Sequence, residues 1–148
     1  MANEDVIVKA MNVLSESMRE CMRKCKAEIP DSKELFNLTI TQLHYLHAIR
    51  EMGNPRITEL AENFGVQKST VTIAINKLLQ REFIEKTSSA SDLRVVHVSL
   101  SVKGKRLIEI EDLGYYQFAS HIMEALDETE REIFTCLLSK VINNSTRG

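Results

Sequence analysis

Hydrophobic positions along this chain keep a helical period at both ends and change period once in the middle. Val6 or Ile7, Ala10, Val13 or Leu14, Met18, Cys21 or Met22 and Cys25 recur at three-to-four spacing. They predict one amphipathic helix from about Asn3 to Ala27, stopping before Pro30. Glu28 to Phe36 reads as a loop with a short turn at Asp31. Thr39 and Gln42 have the spacing of a capping box for a helix carrying Leu43, Leu46, His47 and Ile49 toward Met52. Gly53-Asn54-Pro55 breaks the chain again.

From Arg56 to Arg106 the pattern is helix, turn, helix, then two strands. Thr58 is the expected cap of a short helix through Phe64, and Gly65 the left-handed stop, with Val66 plugging the corner. Gln67 or Ser69 opens the next helix, in which Val71, Ala74, Ile75 and Leu78 form a core-facing stripe at i, i+3, i+4, i+7. After Phe83 the period falls to two: Ile84 to Thr87 and Val95 to Leu100 read as strands around a small polar tip, Ser88 to Asp92. Ser101 then caps a helix running to about Leu126. Asp127 with Glu130 caps a last one carrying Ile133, Phe134, Leu137, Leu138, Val141 and Ile142, ahead of a frayed tail from Asn143.

The expected fold is therefore mainly α with a small β-hairpin wing: a winged helix-turn-helix flanked by N- and C-terminal dimerisation helices. Residues 1–36 supply the first dimerisation helix and a loop, 37–104 the winged helix-turn-helix and 105–148 the last two helices. The end helices carry more apolar surface than a central module of this size covers, so pairing with a second copy is the economical solution.

Charge sharpens that picture. The net charge over 148 residues is -2, which alone argues against nucleic acid. Its distribution argues the other way, because Arg56 to Arg106 holds nine Lys or Arg against five Asp or Glu. The second helix of the reader has no acid between Gln67 and Arg81. Its outer face instead presents Ser69, Ile73, Asn76 and Gln80, flanked by Thr72 and Lys77, side chains that approach phosphates and base edges without repulsion. Ile73 gains nothing from water there, but it would gain burial against a thymine methyl; the alternative is that it packs under a neighbouring element. Arg94 beside the tip suits a narrow minor groove, with Asp92 holding the tip by backbone bonds or by pairing with the guanidinium.

Other chemistry is sparse. No stretch approaches the ~20 apolar residues of a membrane span, and the acidic N-terminus lacks the cationic start of a signal peptide, so the expected location is cytoplasmic. Cys21, Cys25 and Cys136 are an odd set of thiols. The first two fall on the apolar stripe, where cysteine behaves as a small hydrophobe. His44 and His47 sit three apart without a matching carboxylate or cysteine, and His97 and His121 read as structural, so neither a metal nor another cofactor is expected. No glycine-rich phosphate loop, nucleophile elbow or zinc-hydrolase motif is present, which leaves an enzyme as the least favoured class.

The run resembles the winged helix-turn-helix regulators of the MarR family. Leu38-Thr39…Gln42, Ile57-Thr58-Glu59-Leu60-Ala61, Ser69-Thr70-Val71-Thr72, Asp92-x-Arg94 and Leu100-Ser101…Gly104 follow its pattern in order and spacing. Two positions depart from it. Glu82 stands where the family usually has the Gly that ends the recognition helix, and a left-handed Glu costs more than Gly. Leu93 stands where many members carry a second arginine, so this wing has one cation fewer. The resemblance implies a ligand-responsive repressor that binds a pseudo-palindromic operator in double-stranded DNA as a homodimer. On this reading Ser69, Thr70, Thr72, Ile73, Asn76 and Lys77 enter the major groove. Lys68 and Lys86 neutralise phosphates, and Arg94, steadied by Asp92, reaches the minor groove. A small-molecule effector is also implied, with Met11, Met18, Met22, His44, Tyr45 and Tyr115 as expected pocket lining. Two alternatives stay open: a redox- or metal-sensing regulator on the same scaffold, and a winged-helix module that binds a protein.

Overall fold

The computed structural model describes residues 2–30, 33, 35, 37–88 and 90–145. Among the described residues these elements follow in order: α1 (Asn3–Ala27), α2 (Ile40–Met52), α3 (Ile57–Phe64), α4 (Lys68–Gln80), β1 (Ile84–Ser88), β2 (Val96–Leu100), α5 (Val102–Glu124) and α6 (Glu128–Ser145). The expected turn at Asp31 lies outside the described residues. The strands pair antiparallel, Ile84 opposite Leu100 and Ser88 opposite Val96. A mainly helical chain with a two-stranded wing is thus what the hydrophobic pattern implied.

Helix boundaries follow local chemistry. Thr39 and Gln42 close a reciprocal capping box on α2: Gln42 N–H donates to Thr39 Oγ1 at 3.2 Å and Thr39 N–H to Gln42 Oε1 at 3.0 Å. Asp127 and Glu130 do the same for α6, at 2.9 Å each way. α6 continues to Ser145, so the fraying expected from Asn143 does not begin there. At α3 the expected cap is displaced by two residues. The N-cap is Arg56, the helix starts at Ile57, and the Glu59 carboxylate accepts the N–H of Arg56 at 2.7 Å. A carboxylate in the first turn also meets the positive end of the helix dipole, which a threonine hydroxyl does not.

The chain divides into two compact units, one of residues 26–112 and one of residues 1–25 with 113–148. In the first, Leu46, Leu60, Val71, Ile75, Leu78, Phe83, Val98 and Leu107 are fully buried. The α4 stripe alone places three such side chains in the core, on the order of 5–9 kcal/mol of burial as an upper estimate. Gly65 takes the left-handed conformation (φ 62°) expected of it, and the corner closes through Gly65 N–H to Glu62 O and Val66 N–H to Ala61 O. Val66 itself stays 39% exposed, so backbone bonds close the corner, not its side chain.

α4 ends in a Schellman turn. Phe83 N–H reaches Leu78 O at 3.0 Å and Glu82 N–H reaches Leu79 O at 2.9 Å, while Phe83 and Leu78 are both buried. Glu82 holds the left-handed position at φ 60°, so the turn keeps its form despite the missing glycine.

In the second unit the pattern of exposure differs. Only Met22 and Cys25 of α1 are buried, and among its described residues α6 buries none. Val6, Ile7, Met11 and Val13 of α1, with Ile133, Leu137, Val141 and Ile142 of α6, are each more than half exposed.

Candidate nucleic-acid interface

The side chains that could read DNA are set out by α4. Its buried stripe turns the opposite face outward, and Lys68, Ser69, Thr70, Ile73, Asn76 and Lys77 are all exposed. Ile73 is 59% exposed, so the alternative in which it packs under a neighbour is not the arrangement found. Thr72 is half-buried and donates its hydroxyl to Lys68 O at 2.9 Å, which leaves it only as an acceptor and a methyl surface. Gln67 makes no side-chain capping bond. The amides that open the helix therefore face outward with the positive end of the dipole, an arrangement that favours phosphate.

The wing adds its own groups. Lys86 on β1 reaches across to Asn76, its Nζ 3.5 Å from Oδ1. Asp92 accepts the backbone N–H of Arg94 at 2.9 Å, and Val95 N–H reaches Asp92 O at 3.1 Å. Of the two roles open to Asp92, the backbone one is realised: it folds the tip and presents Arg94 outward.

One cation of the site had no signal in the sequence. Arg56, Lys68 and Arg94 line a single depression of about 290 Å³ together with Ile57, Thr58, Val95 and Val96. Arg56 arrives there because its backbone bridges His97 of β2, a pairing across 41 positions of chain that no local period reveals. His97 Nδ1 lies 2.8 Å from Asn54 O and fixes the same corner. The Arg56 guanidinium lies 3.3 Å from Glu59. The Arg56 backbone N–H, more than this ion pair, holds the Glu59 carboxyl below its ordinary range.

The proposed pocket residues belong to both units. Met11 is 63% exposed, Met18 half-buried and Tyr115 43% exposed, all in the unit of the chain ends. Met22 there is buried against Gly114, where an added Cβ would fall 2.1 Å from its sulfur. In the other unit His44 is exposed, and Tyr45 is a core residue with its ring 4.5 Å from that of Phe64. Burial pushes the Tyr45 phenol up. None of the six lines the depression at Arg56 or a second one of about 400 Å³ bordered by Arg50, Glu85 and Lys105.

Cys25 is buried, Cys21 donates its thiol to Gly114 O at 3.8 Å, and Cys136 is exposed. Among the described residues no group of three or more His, Cys, Asp or Glu could hold a metal ion. No helix of the described residues is long and apolar enough to cross a membrane.

A helix-turn-helix with an acid-free outer face and a hairpin wing beside it defines a winged helix-turn-helix protein. The model of the MarR family matches residues 38–96. The HTH-type transcriptional repressor MdtR of Bacillus subtilis is 28% identical over 120 residues, covering 81% of this chain and 77% of MdtR. The fold is shared with RV1404 of Mycobacterium tuberculosis (TM-score 0.75, 20% identity, 97% of this chain and 94% of that one). It is shared too with S. aureus MepR bound to ethidium bromide (TM-score 0.71, 19% identity, 97% and 99%). Residues 38–96 thus match the MarR family, and most of the chain is similar to HTH-type transcriptional regulators.

Proposed function

We propose that this chain is a MarR-family transcriptional regulator that binds a pseudo-palindromic operator as a homodimer and acts as a repressor whose grip on DNA is released by a small molecule. The outer face of α4 carries the reading. It is exposed and free of acids, and it places an apolar Ile73 in water beside Asn76, where a thymine methyl and base edges would give both side chains partners. Lys77 enters the major groove with Ile73 and Asn76, Lys68 and Arg56 neutralise backbone phosphates at the N-terminal end of this face, Lys86 does so from the wing, and Arg94 enters the minor groove. The exposed apolar residues of α1 and α6 support dimerisation, because a second copy is the occupant that buries both helices at once. The sign of regulation rests on the repressor MdtR, and the effector on MepR with ethidium bromide. A ligand acts here only through different affinities for the DNA-competent and DNA-released states.

Binding of the purified chain to a randomised duplex pool, with enriched duplexes titrated at several salt concentrations, tests this reading. An enriched inverted repeat with affinity falling steeply as salt rises is expected. Weak, unselective binding would favour a protein partner for the same face.

A further inference from the structure

The C-terminal end of α4 is held by the N-terminal end of α5 through three consecutive carbonyls. Lys103 Nζ donates to Arg81 O at 3.0 Å, Ser101 Oγ to Glu82 O at 2.6 Å, and Ser101 N–H to Phe83 O at 3.0 Å. The Ser101 hydroxyl also caps α5, accepting Gly104 N–H at 3.0 Å. The Lys103 ammonium stands 4.5 Å from the centroid of the buried Phe83 ring. Gly104 allows the approach, since a Cβ there would lie 2.1 Å from Phe83 O. The negative end of one helix dipole thus meets the positive end of the next.

The carbonyls that end a helix ordinarily bond water, and a Schellman turn already satisfies its own. Three further donors from one partner do more than complete the turn: they allow α4 one rotation and one height. Asn76 lies five residues before Arg81, about 7.5 Å along the helix, so a tilt at this joint reaches the base-reading face undamped. We propose that Ser101 and Lys103 are positioning residues for DNA recognition, a latch that fixes the pose of the recognition helix without touching DNA. The assignment rests on the DNA reading above. Lys103 is the member to test, because Ser101 also caps α5.

Lys103→Met keeps the aliphatic stem on Phe83 and removes the donor. Its affinity for the duplex that the parent enriches is expected to fall severalfold, up to roughly tenfold, the limit set by one lost charge-assisted hydrogen bond that no longer holds the binding pose. The salt slope is expected to match the parent's, and Lys103→Arg, which can still donate to Arg81 O, is expected to restore binding. Glu82→Gly relieves the left-handed strain, so in the Lys103→Met background it is expected to recover thermal stability but not affinity. The assignment is overturned if Lys103→Met binds as the parent does, if its salt slope drops by about one phosphate contact, or if Glu82→Gly recovers affinity together with stability. A parent that enriches no duplex overturns the DNA reading and this assignment with it. A parent that does, with an unaffected variant, overturns the assignment alone.

Discussion

Replacing Ile73 by alanine separates reading from folding more cleanly than any other change on α4. Its side chain is 59% exposed in the free chain and belongs to no buried cluster, so the folded state loses little packing. Alanine is also the better helix former, and stability is expected to stay within about 0.5 kcal/mol of the parent or rise. In the complex the account is different. Fully burying an isoleucine is worth about 1.5–3 kcal/mol. The exposed part of Ile73 sets an upper bound of roughly 1–2 kcal/mol on what a thymine methyl can bury, of which alanine keeps the Cβ share. About 1 kcal/mol remains, near fivefold in dissociation constant, with no change in salt slope because no charge is removed. The decisive assay is a cycle against the methyl itself, titrating parent and Ile73→Ala on the enriched duplex with each thymine in turn replaced by uracil. At one position per half-site the parent is expected to lose affinity and the variant to be indifferent. A uracil penalty of the same size in both proteins at every position would refute the contact. A large drop in melting temperature of the free variant would show that Ile73 is packed after all.

Further outcomes follow from other parts of the structure. Asn76→Ala is expected to relax preference at one base pair at a cost of about 1–3 kcal/mol, read by retitrating operator variants. Lys68→Ala and Arg56→Ala are each expected to weaken all duplexes alike and to flatten the salt slope by about one contact; a sequence-selective loss would contradict the phosphate role. Gly104→Ala drives a Cβ to 2.1 Å from Phe83 O, so a lower melting temperature is expected without any direct contact to DNA. Glu59 has a carboxyl held below its ordinary range, so its contribution is present at neutral pH and is lost as pH falls through the depressed value. Glu59→Gln can still accept the Arg56 N–H and is expected to remove that acid-side loss; an unchanged melting curve between pH 7 and pH 3 would contradict the assignment.

Much of the reading face was legible because it is written in local periods. The stripe of Val71, Ile75 and Leu78 names its own opposite face, and the capping boxes at Thr39 and Asp127 need only three residues of context. Asp92 two residues before Arg94 is likewise a local device. Arg56 was not legible, since what brings it to Lys68 and Arg94 is the bridge to His97 and the His97–Asn54 contact, tertiary pairings with no period. The start of α3 was misread for a related reason: a threonine qualifies as cap from sequence, whereas the N-cap is Arg56, placed by the same bridge, with Glu59 accepting its N–H. The surroundings of Tyr45 were not legible. A tyrosine that lines a cavity and one that packs on a phenylalanine look the same in sequence, and Tyr45 is of the second kind. The latch from Ser101 and Lys103 shows the reverse case, in which a recognised cap motif carries a second partner that its spacing does not name.

The central claim is that two copies of α4 read two half-sites from one face of the duplex. A hydroxyl-radical and purine-methylation footprint on the enriched duplex tests it most directly. Two major-groove protections centred about one helical turn, roughly 34 Å, apart, with flanking minor-groove protection from the wings, are expected. One protected patch, or even protection along the whole duplex, would contradict it.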